Sequence, residues 1–299
     1  PRECHRVNAT SRRWVPRAEL DTLAQARLAG LTLGGLMVAG SLEGLAAPTV
    51  AVVGTRAPSD AGRRLARRLA EELGRAGVCV ISGLALGIDG AAHEGALDAG
   101  APTIGVLGGG HDHFFPPRNR ELADRIITGG GAVVSPFPPE TPARPFQFLQ
   151  RNGVVAALAD AVVVVEAAAR SGALNTASWA ADRSIPVLAF PGDVDRPKVA
   201  GCLALIRDGA ILARNAADVL AALPVQLTLA TTPRHAPTLA LTDASPEAYA
   251  VLAALAEGER DAESLAQALG MPPALLLAAL AELEFDGRIA RGAAGFARV

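Results

Sequence analysis

The chain has 299 residues, half of them apolar and only 4% aromatic, and its formal net charge is −2. That length accommodates one large domain and one small one, and the near-zero charge excludes the global basic field of many nucleic-acid binders, so any polyanion site must be local. Cys4, Cys79 and Cys202 are odd in number and lack metal-ligand spacing, which argues against a disulfide framework. No apolar run reaches membrane-spanning length and no signal-peptide pattern is visible, so a cytoplasmic location is expected.

Along the chain, residues 1–47 carry six arginines against four acids and form an N-terminal segment, read as truncated or as a linker, with a helix expected over 17–28 and an extra strand at 36–38. Residues 48–223 alternate short β-branched runs with Ala/Leu/Arg stretches. Strands are expected at 50–53, 78–82, 103–107, 132–135, 161–165 and 186–190, and helices near 59–75, 89–99, 118–128, 150–159, 172–182 and 200–207. The strands are continuous apolar runs, as when helices cover both faces of a sheet. The fold class is α/β, a Rossmann-like, doubly wound, mostly parallel sheet. Residues 224–242, rich in proline and threonine, read as a linker. Residues 243–299 give helices near 245–256, 261–269 and 272–286 and then a hairpin pattern, the outline of a winged helix. This last module has nine acids against four arginines.

The stretch Val80-Ile-Ser-Gly-Leu-Ala-Leu-Gly-Ile-Asp89 runs from a strand through a glycine-rich loop into a helix. Such a turn aims backbone N–H groups and a helix N-terminus at one spot, which suits a phosphate. The design recurs at Gly54-Thr55-Arg56 and at Gly108-Gly109-Gly110, and three such loops on one sheet edge predict an anion-binding surface. The first loop lacks the spacing of a dinucleotide site, and the second strand ends in Ser82-Gly83 where a ribose-binding acid is required, so a nicotinamide enzyme is disfavoured.

Arg56 sits at a strand's carboxyl end, where ligands of open α/β sheets bind. Arg63, Arg64, Arg67 and Arg68 are read as a solvated helix face. His111-Asp-His113 resembles a metal pair, but no third ligand stands out and no metal or other cofactor is expected. Phe114-Phe115-Pro-Pro-Arg118-Asn119-Arg120 combines aromatics and arginines that can stack a base and hold its phosphate, with one of the two phenylalanines expected to pack inward. Phe146-Gln-Phe148-Leu-Gln-Arg151-Asn152 repeats the theme. No Ser–His or Cys–His pairing is deducible, and a non-enzymatic protein is expected.

Taken together, Val52-Val-Gly-Thr-Arg56, Ser82-Gly-Leu-Ala-Leu-Gly-Ile-Asp89, Ala92-His-Glu-Gly-Ala-Leu97, Phe115-Pro-Pro-Arg-Asn119, Gln150-Arg-Asn152, Ser171-Gly-Ala-Leu-Asn-Thr-Ala177 and Gly201-Cys-Leu-Ala-Leu-Ile206 closely resemble the DNA-processing protein A family (DprA, or Smf). The likeness covers about 36–220, and the outline of 243–299 resembles the family's winged helix. The sterile-alpha-motif-like N-terminal domain of many members is expected to be absent or truncated here. The resemblance implies an extended Rossmann fold that binds single-stranded DNA without metal or nucleotide, protects it, and helps load the RecA recombinase in natural transformation, usually as a homodimer. It places DNA contacts at Gly54, Thr55, Arg56, Ser82, Gly83, Phe115, Asn119, Arg120, Arg151 and Asn152. Leu86, Gln150 and Gly153 stand where the family often has basic residues, and Arg118 stands where it commonly has Glu. Arg118 is therefore expected to join the DNA contacts and offset the loss. The third winged-helix helix carries acids and no Lys or Arg, so this module is not expected to read duplex DNA. The alternative is a nucleotide phosphoribohydrolase-like enzyme on the same fold, disfavoured because the Pro-Gly-Gly-x-Gly-Thr phosphate loop is missing.

Overall fold

The computed structural model describes residues 12–224, 245–255, 260–285, 289–291 and 295–298. They belong to two compact units that divide after Thr232.

The first unit is built on a nine-stranded sheet. In chain order it contains β1 (Arg12–Pro16), α1 (Thr22–Arg27), β2 (Gly35–Gly40), β3 (Thr49–Val53), α2 (Asp60–Arg75), β4 (Cys79–Ser82), α3 (Ile88–Asp98), β5 (Thr103–Val106), α4 (Arg120–Thr128) and β6 (Ala132–Ser135). It continues with α5 (Pro145–Leu158), β7 (Ala161–Val164), α6 (Gly172–Ala181), β8 (Val187–Ala189), α7 (Ala200–Arg207), β9 (Ile211–Leu212) and α8 (Ala216–Ala221). The spatial order is β1-β2-β6-β5-β4-β3-β7-β8-β9. Strands β3 to β9 run parallel; β2 is antiparallel to β6, and β1 to β2. The chain winds outward from β3 in one direction through β4, β5 and β6, then returns to lay β7, β8 and β9 on the other side. The β3/β7 boundary is thus a topological switch point, where a crevice opens at the carboxyl ends of the strands.

Burial on both faces accounts for the apolar runs. In β3, Val50 and Val52 pack with Leu69, Leu73 and Ala92 of α2 and α3. Ala51 and Val53 point the other way, toward Val154, Leu158 and Ala177 of α5 and α6. Each buried Val or Leu contributes roughly 1.5–3 kcal/mol, so the sheet cannot slip by one residue without moving every such side chain to the opposite face.

Four features depart from the sequence pattern. Strand β1 is an arginine-bearing edge strand without clean alternation, β9 is two residues long, and α8 is a short helix capped by Asn215, whose side chain accepts the Asp218 N–H at 3.0 Å. Helix α5 starts at Pro145, five residues before the expected 150. Proline is pre-set for the first helical position, and Gln147 Oε1 accepts the Arg144 N–H at 2.7 Å, closing the first turn. The segment before residue 48 is tied into the main unit by Arg27, which donates to Leu45 O and Asp160 Oδ2, both at 2.7 Å. The same carboxylate oxygen accepts the Thr49 N–H and hydroxyl at the start of β3.

The second unit contains α9 (Pro246–Ala254), α10 (Ala262–Leu269), α11 (Pro273–Phe285) and an antiparallel hairpin of β10 (Ile289–Arg291) and β11 (Phe296–Arg298). It has its own core, including Val251, Leu265, Leu276, Leu283, Ile289 and Phe296. This is a winged helix. Most of the expected linker, and Arg288 of the expected wing, lie outside the described residues. Among the described residues no single helix is long and apolar enough to cross a membrane.

Candidate nucleic-acid interface

A cleft of about 750 Å³ opens at the switch point. Its walls come from the loops after β3, β4 and β7, from Phe115, and from the first two turns of α5. Gly54, Thr55, Arg56, Gly83, Phe115, Arg151 and Asn152 all line it. Arg118, Asn119 and Arg120 continue directly from the Phe115 wall.

Phe148, on the first turn of α5, organises the cleft. The Arg56 guanidinium carbon lies 5.5 Å from its ring centroid and that of Arg151 5.8 Å, and Phe115 meets the ring edge-on at 5.9 Å and 68°. Cation–π and edge-to-face contacts at these distances hold ring and charges in register. Phe148 and Arg151 are three residues apart on one helix, which puts them on one face. Arg56 is exposed and Phe115 is 49% exposed, whereas Phe114 is buried and carries the Arg120 guanidinium 5.2 Å from its ring centroid.

Arg151 forms the floor and is only 4% exposed. Its Nη1 donates to Gly83 O and, at 2.5 Å, to Val106 O. Asp89, in the first turn of α3, accepts the N–H groups of Gly83 and Ala85 at 3.1 and 3.4 Å. Burial pushes the Asp89 carboxyl up and lowers Arg151 to about 10, while the opposite charge of each pulls the other back. A Cβ on residue 83 would collide with both side chains, so only glycine fits between them.

The expected phosphate cradle of glycine-loop N–H groups needs correcting. The Thr55 N–H is taken by Glu166 O at 2.7 Å, that of Gly83 by Asp89, and that of Gly110 by Thr141 O at 2.8 Å. The start of α2 is likewise filled by a carboxylate: Glu166, 3% exposed, accepts Ser59 N at 2.7 Å and Ser59 Oγ at 2.9 Å. The attraction of a helix N-terminus for an anion operates here, but the anion is the protein's own. Positive charge at the cleft therefore comes from side chains, namely Arg56 and the exposed Arg170 beside the start of α6, with exposed Arg118 beyond Phe115.

Ser82 is also corrected as a contact residue. It is fully buried and donates to Val52 O at 2.6 Å, stitching β4 to β3. Asn119 Nδ2 donates to Leu84 O and Ala85 O at 2.9 and 3.0 Å, clamping a loop in which Leu84 adopts φ +53°. Asn152 donates to Gly172 O and Asn175 Oδ1 at 3.2 and 3.3 Å, joining α5 to α6. His111 turns inward, Nε2 lying 3.0 Å from Val133 O, and no group of three metal-ligating side chains occurs among the described residues. Arg63, Arg64, Arg67 and Arg68 are exposed, with Arg67 paired to Asp98 at 2.6 Å. Phe148 and Asp89 stand within motifs that the sequence singles out, yet sequence reasoning gives neither them nor Arg170 a role at the site. The i,i+3 spacing of Phe148 and Arg151 is the one signal that points to the first.

The profile of the family described as DNA recombination-mediator protein A matches residues 33–224, and that of the DprA winged helix domain matches 233–295. The chain is 37% identical over 271 residues to Protein Smf of Escherichia coli K12, covering 89% of this chain and 72% of that protein. It is 40% identical over 248 residues to the putative DNA processing protein DprA of Mycobacterium tuberculosis, covering 82% of this chain and 63% of that one. The X-ray structure of DNA processing protein A from Streptococcus pneumoniae superposes with a TM-score of 0.60 at 38% identity, covering 64% of this chain and 67% of that chain. A Helicobacter pylori DNA processing protein A, whose structure concerns a single-stranded DNA binding mode, gives 0.60 at 28% identity, covering 65% and 90%.

Proposed function

Because the chain belongs to the DNA recombination-mediator protein A family, we propose that it binds single-stranded DNA in the switch-point cleft, with little sequence preference and without catalysis. The observation that carries this reading is the cluster of Arg56, Phe148 and Phe115 in one open cleft. Aromatic faces beside exposed guanidinium groups suit unpaired bases and their phosphates, and a paired base has no free face to offer. Backbone and stacking contacts position a strand without reading its sequence. Arg56, Arg170 and Arg118 hold phosphates, Phe115 and Phe148 meet bases, and Arg151, Asp89, Asn119 and Asn152 set the walls.

The bound strand is protected and passed to the RecA recombinase in the cytoplasm during transformation or recombination, a role that rests on family membership. A homodimer is supported by the adjacent apolar side chains of Ile211 and Leu212, exposed at 45% and 44% on β9 at the end of the sheet; exposed apolar surface of this kind suits a protein contact. The phosphoribohydrolase alternative needs an acid free to act in the cleft. Glu166 spends both oxygens on Ser59, and Asp89 is buried against Gly83, Ala85 and Arg151.

The test is fluorescence anisotropy of a labelled single-stranded oligonucleotide, with duplex competitor and the Arg56→Ala variant. Single-strand preference that is lost in the variant supports the reading. Equal affinity for duplex, or no binding, overturns it, and release of adenine from adenosine monophosphate would establish the alternative.

A further inference from the structure

The carboxyl edge of the sheet extends beyond the cleft, and its far end carries a tryptophan. Trp14 on β1 pairs with Met37 on β2, and Met37 pairs with Ser135 at the end of β6. Leu107, which follows β5, donates its N–H to Val134 O at 2.8 Å. Trp14 is therefore level with the ends of β5 and β6, three inter-strand spacings, about 14 Å, from β5. Arg12 and Trp14, two residues apart, share one face of β1, while Val15 points oppositely into the core. The Arg12 guanidinium donates to Asp112 Oδ1 at 2.6 Å, so this face looks onto the segment that leads to Phe115.

Trp14 is 42% exposed, and together with Phe115 and Phe146 it makes up the exposed large aromatics among the described residues. All three lie along this one edge. The indole has a glycine floor: a Cβ on Gly35 would come within 2.9 Å of Trp14 Cζ2, and one on Gly34 within 3.9 Å.

The geometry points to Trp14 as a second base-stacking platform, reached by a single strand that leaves the cleft past Phe115 and crosses β6 and β2 toward β1. This inference rests on the single-stranded DNA reading and extends it: the footprint includes the N-terminal strand, and strands too short to bridge cleft and β1 engage only the cleft.

Tryptophan fluorescence reads it directly in the full chain. Trp179, half-buried and packed against Gly153 at the margin of the core, is replaced by Phe so that Trp14 is the sole reporter. A thymidine oligonucleotide of about 16 residues should quench Trp14, and one of about 4 residues or an equivalent duplex should not. Trp14→Ala should weaken binding of the long strand roughly 5- to 100-fold and leave its salt slope and short-strand affinity unchanged, and Trp14→Phe should restore most of the loss. Unquenched emission on a strand that binds, with equal affinity of the alanine variant, would show that Trp14 only shields the sheet edge. If Trp14→Ala fails to fold by circular dichroism, quenching and the Trp14→Phe affinity decide. No single-strand binding by the unmutated chain would instead remove the proposed function itself, and this extension with it.

Discussion

Both carboxylate oxygens of Glu166 end on Ser59: Oε2 accepts its backbone N–H at 2.7 Å and Oε1 its hydroxyl at 2.9 Å. The Ser59 hydroxyl oxygen in turn accepts the Gly62 N–H at 3.0 Å, capping α2. The end of β7 thus holds the start of α2, and the loop bearing Arg56 is strung between them.

Glu166→Ala is expected to cost about 2–3 kcal/mol, because it takes the acceptor from the half-buried Ser59 N–H and removes an anion from a helix N-terminus. Glu166→Gln, which keeps one acceptor, should cost about half as much. Urea unfolding measures both. Under conditions where the variants are folded, single-strand binding should persist, since Glu166 does not line the cleft.

Arg56→Ala and Phe148→Leu separate charge from stacking. The first should leave stability within about 0.5 kcal/mol, as Arg56 is exposed, and reduce the slope of log K against log salt by about 0.7. The second should lower affinity roughly 5- to 100-fold at unchanged slope. Arg118→Glu should weaken binding further than a neutral substitution there. Salt titrations of anisotropy distinguish the three.

Arg151→Leu should be among the most destabilising changes in the first unit, about 3–5 kcal/mol, because it leaves buried Asp89 without its countercharge and empties the acceptors Gly83 O and Val106 O. Thermal and urea unfolding check this. A variant that unfolds normally and loses only DNA affinity would show that Arg151 acts on the ligand rather than on the floor of the cleft.

His93 is fully buried, with Nδ1 2.8 Å from Thr103 Oγ1, and that hydroxyl donates to Val80 O at 2.6 Å. With the hydroxyl proton spent on Val80, Nδ1 must be the donor. Burial lowers His93 from its usual 6.5 to about 3. Its contribution is therefore complete above about pH 6.5. It is lost by about 1.4 kcal/mol per unit as pH falls toward 3, because over that range the unfolded chain binds a proton that the folded chain does not. The pH dependence of unfolding should be shallower in His93→Asn than in the unmutated chain.

Helix α11 presents Leu275 and Leu277 to solvent at 48% and 59% and has no Lys or Arg along its length. With its own core, the 243–299 fragment should fold but leave a duplex probe unshifted in a gel assay. Tight duplex binding by the fragment would reverse the assignment of this helix.

The strands from β3 to β8 were legible because residues such as Val50–Val53 are buried on both faces and leave an unbroken apolar run. The edges were not. Arg12–Pro16 and Ile211–Leu212 become strands only because a neighbour offers a free edge, and a two-residue strand has no periodicity to read. The expected helix begins at 150, although Pro145 and Gln147 encode an earlier start, with Phe146 and Phe148 inside its first turn.

For the site, the sequence by itself determined where the crevice lies, since glycine-rich turns at the ends of parallel strands dictate one, and it determined which arginines and aromatics lie near it. Only the tertiary structure decided how the charges are used. Asp89 reaches Gly83 within one turn, but Glu166 meets Ser59 only through the fold, 107 residues away along the chain, and there it takes an N–H group that a ligand would otherwise use. The same crossing of elements buries Arg151 and leaves Arg56 exposed, though both carry the same guanidinium. Linear spacing does not encode which of two identical groups is desolvated, because that depends on what the rest of the chain packs over it.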